Sequence, residues 1–376
     1  MMGRIPALLL LLAIPFAAFA RQSPPPAKDD PEVRIAREAH EEMLKSGLKL
    51  VTDADLLGRV ERIGNKLAAI ANKQPIPATY GAENRTAFEY KFHVVDDPDV
   101  NAFALPAGFI YVNKGLLKYV QSDDELAGVL GHEIMHAAHH HVLRLQKEQE
   151  KMNTQLALGA IAAILARVPA ADTGNLVTGL QLVALQKVNG YSQQAERDAD
   201  LAGLELARQS GYNIVGALTF MERLARDQRT RPDVDLGIFR THPPEKQRVA
   251  TLLGKIKELG VPVERRRTTQ MLKVAVAPAK DVPATEVLVD GKLILRTRDA
   301  NRARSVADAL DKALDGEIQM YELGRRDGAL TIRGAVILRA DPADDAPDPL
   351  RRESIVERAL KSLQSALYRY ALDGHL

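Results

Sequence analysis

Ser122-Asp123-Asp124-Glu125-Leu126-Ala127-Gly128-Val129-Leu130-Gly131-His132-Glu133-Ile134-Met135-His136 is the stretch on which the reading turns. Ser122 followed three residues later by Glu125 is a capping box, and the acidic residues at 123–125 suit the positive end of a helix dipole. The box marks where a helix begins, and Leu126, Val129, Leu130 and Ile134 give that helix a face to bury. On it His132 and His136 stand four apart and point the same way, so both imidazoles can reach one zinc ion. Glu133 then lies beside the ion rather than on it, where it can take a proton from a water that the ion activates.

A catalytic zinc needs a third protein ligand and one open position. Three sources compete. A further His ten positions after His132, behind a Gly, would extend the same run, but Val142 stands there and no Gly lies between. The run His139-His140-His141 offers imidazoles. His139 falls about two turns beyond His132 along the helix, too far to share the ion easily, so the run reads as surface or as support behind a ligand. The third source is Ser192-Gln193-Gln194-Ala195-Glu196-Arg197-Asp198-Ala199-Asp200, where Glu196 and Asp200 share a helical face. Glu196 can bind the ion while Asp200 accepts a hydrogen bond from the outer nitrogen of a ligand His.

Outward from this centre, the chain has 376 residues, enough for two domains and a sizeable core. Its 51 Lys+Arg against 49 Asp+Glu give no electrostatic case for nucleic acid. With no cysteine, disulfides, thiol nucleophiles and Cys-type zinc sites are excluded, so any metal is held by His and carboxylates. Arg4, the apolar run from Ala7 to Phe19 and the small residues of Ala18-Phe19-Ala20 read as a signal peptide (1–20) cut after Ala20, with a Pro-rich linker at 21–31. That pattern points to a periplasmic protein.

Helical spacing predicts helices over Pro31–Gly47 and Asp53–Asn72, the latter capped by Asp53. Alternation predicts a strand over Ala87–Val95, and a second follows a Pro-Ala-Gly turn at Phe109–Val112. Apolar segments near Gln155–Ala166 and Leu176–Val188 read as core or lid helices, the first too short to span a bilayer, with peripheral membrane contact as the rival reading. Helices are expected at Gln193–Ser210, Ile214–Asp227 and Pro244–Leu259. Arg265-Arg266-Arg267 reads as a solvated linker. Beyond it the pattern becomes mixed: strands at Leu272–Val276, Ile318–Leu323 and Leu330–Leu338, a hairpin over Glu286–Arg296 turning at Asp290-Gly291, and helices at Ala303–Leu314 and Glu353–Leu372. The expected fold class is therefore α+β: a mainly helical domain with a small sheet (32–262), then an α+β accessory domain (269–376) without a readable chemical motif.

Taken together, His132-Glu133-x-x-His136, Glu196-x-x-Ala199-Asp200 and Asn101-Ala102-Phe103-Ala104-Leu105-Pro106 resemble the HtpX/Oma/BepA-type gluzincin metallopeptidases over roughly Asp53 to Leu259. The resemblance implies a zincin-type domain with one Zn2+ held by His132, His136 and Glu196. It also implies Glu133 as general base and Asp200 supporting a ligand. The segment containing Asn101, Ala102 and Phe103 would border the cleft as an edge strand, able to pair with an extended, unfolded or misfolded protein substrate. Thr241-His242-Pro243-Pro244, with Arg248, is similar to the family's His-Pro element: His242 would either approach the zinc as a fourth ligand or face the developing oxyanion, which Arg248 would help stabilise. In contrast to members of that family, no membrane-spanning helices and no helical repeats are readable here. The expected activity is endopeptidase action on misfolded or stalled envelope proteins, a chaperone-like binding protein with a latent zinc site being the alternative.

Overall fold

The computed structural model describes residues 30–74, 76–81, 87–145, 192–230, 236–238, 242, 246–270, 272–315, 318–344 and 349–373. The expected signal segment, most of the linker and the two apolar helices expected near 155–166 and 176–188 lie outside them. The chain is α+β and mainly helical, with small three-stranded sheets.

Helix α1 (Pro31–Lys45) begins with Pro at its first position and the Asp30 carboxylate capping the Glu32 amide. Helix α2 (Ala54–Lys73) is capped by Asp53, which accepts from Asp55 and Leu56. Strand β1 (Lys91–Val95), β2 (Ala102–Leu105) and β3 (Phe109–Asn113) form one sheet in the order β1-β3-β2, parallel between β1 and β3 and antiparallel between β2 and β3. The alternation expected over 87–95 forms strand only from Lys91; Asn72 receives the Phe88 amide on its side chain and donates back to the Phe88 carbonyl, so a side chain stands in for a ladder there.

Period-two alternation sorts this sheet onto two cores. Ala102, Ala104, Ile110 and Val112 join α2 and the helices below in the main core. Phe103, Leu105, Phe109 and Tyr111 face α1 on the other side, with Ala36, Ala39 and Met43. The sheet is thus a buried layer, and one of its faces is the floor on which α4 (Asp123–Ala138) lies after the short α3 (Lys114–Tyr119).

Three further helices complete this part: α5 (Gln193–Gln209), α6 (Val215–Thr230) and α7 (Lys246–Glu258). Helix α4 packs most extensively on α5, α6 and α2, and glycines set the spacing. A Cβ at Gly131 would lie 2.9 Å from the Gly203 carbonyl oxygen, and one at Gly203 would lie 2.8 Å from the His132 nitrogen. The two backbones therefore touch. Gly128 plays the same part against α6, where a Cβ would meet Ala217 at 2.9 Å.

The capping box departs from expectation in one half. Ser122 accepts from the Glu125 amide, but Glu125 is fully buried and receives the Gln121 amide, Thr219 and both guanidinium ends of Arg223 on α6. A buried carboxylate is stable only with such partners.

The second part has its own core, built from Val287, Leu295, Leu310, Leu330, Leu338, Val356, Leu363 and their neighbours. Strands β4 (Val274–Pro278), β5 (Thr285–Val289) and β6 (Lys292–Thr297) form an antiparallel meander whose β5–β6 turn is Asp290-Gly291, both at positive φ. Helix α8 (Ala300–Ala313) precedes β7 (Leu323–Arg326), β8 (Ala329–Ile332) and β9 (Ala335–Arg339), and α9 (Pro349–Asp373) ends the described chain. Two strand expectations are corrected here. Within 318–323, residues 320–322 form a single 3-10 turn, since Glu322 folds back onto the Gln319 amide. The run Leu330–Leu338 is two strands around Arg333-Gly334, both at positive φ.

Arg265 and Arg266 are not a solvated run. Arg265 pairs with Glu222 on α6 through two hydrogen bonds, and Arg266 pairs with Asp311 on α8 while its amide donates to Asp315. The linker is pinned to both parts. Among the described residues no helix is long and apolar enough to cross a membrane.

Candidate active site

Helix α4 presents His132 and His136 one turn apart, and their Nε2 atoms meet at 2.9 Å. Helix α5 crosses it through the glycine contact and brings in Glu196, whose Oε2 is 3.5 Å from His132 Nε2 and whose Oε1 is 3.4 Å from His136 Nε2. His242 adds its Nδ1 at 2.9 Å from Glu196 Oε1 and 3.2 Å from His132 Nε2. One ligand atom from each of these four buried residues lies within 4.8 Å of the others.

The outer nitrogens decide what the inner ones can do. His132 Nδ1 faces Asp200 Oδ1 at 3.0 Å, and His136 Nδ1 faces His141 Nδ1 at 2.9 Å. A proton on each Nδ1, donated to those partners, leaves both Nε2 atoms with lone pairs turned toward one another and toward Glu196. Two imidazole lone pairs and a carboxylate converging on one point are the donor set of a His-and-carboxylate metal site. Burial holds the His136 imidazole well below its ordinary value, with His132 adding to the effect, so the ring is in the neutral, ligating form. Burial alone would raise Glu196, but His242 and Arg248 overcome it and hold the carboxyl well below the usual range. Asp200 is likewise held down against burial by Arg248 and His132.

Glu133 is buried beside the cluster, its Oε1 3.2 Å from His242 Nε2 and its Oε2 without a hydrogen bond among the described residues. A cavity of about 1040 Å3 opens over Glu133 and His132, and its lining also includes Arg265 of the linker and Leu272, Leu314, Asp315 and Arg333 of the second part. Burial acts to lower His242, but Glu196 and Glu133 push it up to about 10.

Arg248 lines the same cavity. Its guanidinium forks onto Asp200 at 2.8 and 2.7 Å and reaches Glu196 Oε2 at 2.7 Å, so it grips both carboxylates. Asn101, Ala102 and Phe103 lie at and just before β2, the sheet edge in strand order, and all three are buried. The Val100 carbonyl just upstream accepts from the Ile238 amide, on the segment that carries His242.

One residue near the centre was not singled out by spacing. Asp198 is buried on α5 and, with His139 and His141, makes a second compact trio of potential ligands. The histidine run is not surface: α4 stops at Ala138, His140 takes a left-handed φ of 56°, and the chain turns His141 back onto His136. Of the two expectations for the run, surface or support behind a ligand, the second fits His141; the helical projection behind the first holds only while the helix continues.

The family model described as Peptidase family M48 matches residues 58–256. The chain belongs to peptidase family M48. The family is one of peptidases, and the relatives carry protease names. The beta-barrel assembly-enhancing protease of Escherichia coli (strain K12) is 24% identical over 290 residues, covering 76% of this chain and 53% of that protein. Metalloprotease LoiP of the same strain is 30% identical over 233 residues, covering 60% of this chain and 81% of LoiP. The mitochondrial metalloendopeptidase OMA1 of Arabidopsis thaliana is 30% identical over 207 residues, 55% of this chain and 40% of that one. The chain spans about half the length of the beta-barrel assembly-enhancing protease it matches.

Proposed function

We propose that this M48 chain is a zinc-dependent endopeptidase of the periplasm that cuts misfolded or stalled envelope proteins, with His132, His136 and Glu196 as metal ligands. The observation that carries the reading is the convergence of those three buried groups from two helices, with the Glu133 carboxylate beside them and not among them. The signal-peptide pattern over 1–20 and the beta-barrel assembly-enhancing relative support the compartment and the substrate class. Residues 32–262 form the peptidase domain and 269–376 the accessory domain in this reading.

When bound, zinc supplies the Lewis acidity that polarises water and the scissile carbonyl. The protein's own residues do the rest. An extended substrate strand would pair along the sheet edge near Asn101–Phe103 by displacing what covers it, including the Ile238 amide on Val100, and would gain affinity through backbone hydrogen bonds with little sequence preference. Glu133 Oε2 accepts the proton of the attacking water and returns it to the leaving amine. Asp200 fixes the tautomer and orientation of His132. Arg248 holds Asp200 and Glu196 in register, and its positive charge keeps both ionised. Replacing Glu133 by glutamine keeps the shape and removes the base. Casein cleavage by the parent and a loss of at least about 100-fold in Glu133→Gln is the expected pair of results; equal cleavage by both would overturn the assignment of the base.

His242 favours a second reading of the same site. Its Nδ1, 2.9 Å from Glu196 and 3.2 Å from His132, is close enough to take the fourth position itself. In that event the resting enzyme is latent, and His242→Ala raises casein cleavage. If His242 instead stabilises developing charge, the same substitution lowers it.

A further inference from the structure

Behind the proposed metal ligands lies a buried relay that the hydrolytic reading does not use. His136 Nδ1 meets His141 Nδ1 at 2.9 Å, His141 Nε2 meets the Tyr80 carbonyl at 2.9 Å and Asp198 Oδ2 at 3.3 Å, and Asp198 also takes His139 Nδ1. His139 is held at its other end by the Ile76 carbonyl, 3.1 Å from its Nε2. Asp198 Oδ1 accepts the Thr79 hydroxyl and the Tyr80 amide, at 2.8 and 3.1 Å. All three side chains of the relay are buried. His140 supplies the turn that makes it possible, through a left-handed backbone that a non-glycine residue adopts only when its surroundings hold it there.

We infer that His141, backed by Asp198, is a positioning residue for the metal: it fixes the tautomer and ring plane of His136 as Asp200 does for His132. The inference rests on the metal reading above. Two imidazole Nδ1 atoms at hydrogen-bond distance require one donor and one acceptor. If His136 Nε2 is the ligand, its proton stands on Nδ1, so His141 Nδ1 accepts. The His141 proton is then on Nε2, where a carbonyl and a carboxylate both accept it. No other assignment satisfies the His136–His141 pair while leaving His136 Nε2 unprotonated. The alternative, a second cation among His139, His141 and Asp198, would have to displace the bonds to Ile76, Tyr80, Thr79 and His136 that already occupy these groups.

The two sides of the His141 ring can be separated by substitution. Asparagine places an oxygen where Nδ1 stands and keeps the bond to His136; glutamine reaches the Nε2 position and keeps the bonds to Tyr80 and Asp198 but loses the one to His136. Zinc-loaded full chains are challenged with a chromophoric chelator, and the metal-free proteins are melted alongside. His141→Gln is expected to release zinc at least about 10-fold faster than the parent, while His141→Asn stays within about 3-fold of it, with similar metal-free melting for both. Release from His141→Gln at the parent rate overturns the proposal. So does a metal-free melt of His141→Gln lowered in step with its metal retention, which would make His141 a packing residue. A parent that binds two zinc ions, one of them lost in both variants, would reassign the trio as a second metal site. A parent that binds none would contradict the metal reading itself.

Discussion

His93 shows how a single half-buried imidazole couples this fold to pH. It stands on β1 in a cluster with His40 at 4.8 Å and Tyr111 at 5.0 Å, and burial, then His40 and Lys91, lower it from 6.5 to about 4. Its folded value lies below the unfolded one, so the unfolded chain takes the proton first as pH falls. The stability it contributes is complete above about 6.5 and is lost between there and about 4. Discounted for partial exposure, that loss is on the order of 2 kcal/mol. Urea unfolding at pH 7 and pH 4.5 should therefore show a smaller difference in His93→Gln than in the parent; identical differences would contradict the burial argument. At the same scale, His132, Glu133 and His136 were readable because the helix that spaces them announces its own start at Ser122. Asp198 was not, because its partners His139 and Thr79 lie 59 and 119 residues away in sequence; His141 was readable only as one of a run, because the turn at His140 that aims it carries no local signal.

Helices α4 and α5 carry the proposed ligands on separate elements, so the site is only as accurate as their crossing. That crossing is set by Gly131 against Gly203. Gly203→Ala would drive a methyl to 2.8 Å from the His132 backbone nitrogen, a contact that real side chains do not tolerate. The helices must part, with a stability loss of about 1–3 kcal/mol and weaker metal retention, because Glu196 moves relative to both histidines. Thermal melting together with metal content checks this, and unchanged metal content would show that the crossing has slack. Gly254 on α7, where a Cβ meets nothing within 4 Å, is the control position for replacement by alanine. The helical elements were legible because their apolar stripes and caps agree. The errors fell on strands of the second part, where Arg333-Gly334 breaks an otherwise continuous apolar run and Glu322 closes a turn on its own backbone.

Across the molecule, the family match covers the first core, while the second core supplies one wall of the cavity over Glu133. Arg265 and Arg266 pin the linker to α6 and α8, so the wall is held by charge-assisted bonds on both sides. The sequence offered no hint of this, since the partners Glu222 and Asp311 are 43 and 45 residues distant. The central claim is that the whole chain holds one zinc ion through two histidines of α4 and one carboxylate of α5. Native mass spectrometry of the zinc-supplied parent, Glu133→Gln and Glu196→Ala tests it most directly. One zinc in the parent and in Glu133→Gln, with none retained by Glu196→Ala, is the predicted result. Zinc retained in Glu196→Ala, or none in the parent, would contradict it.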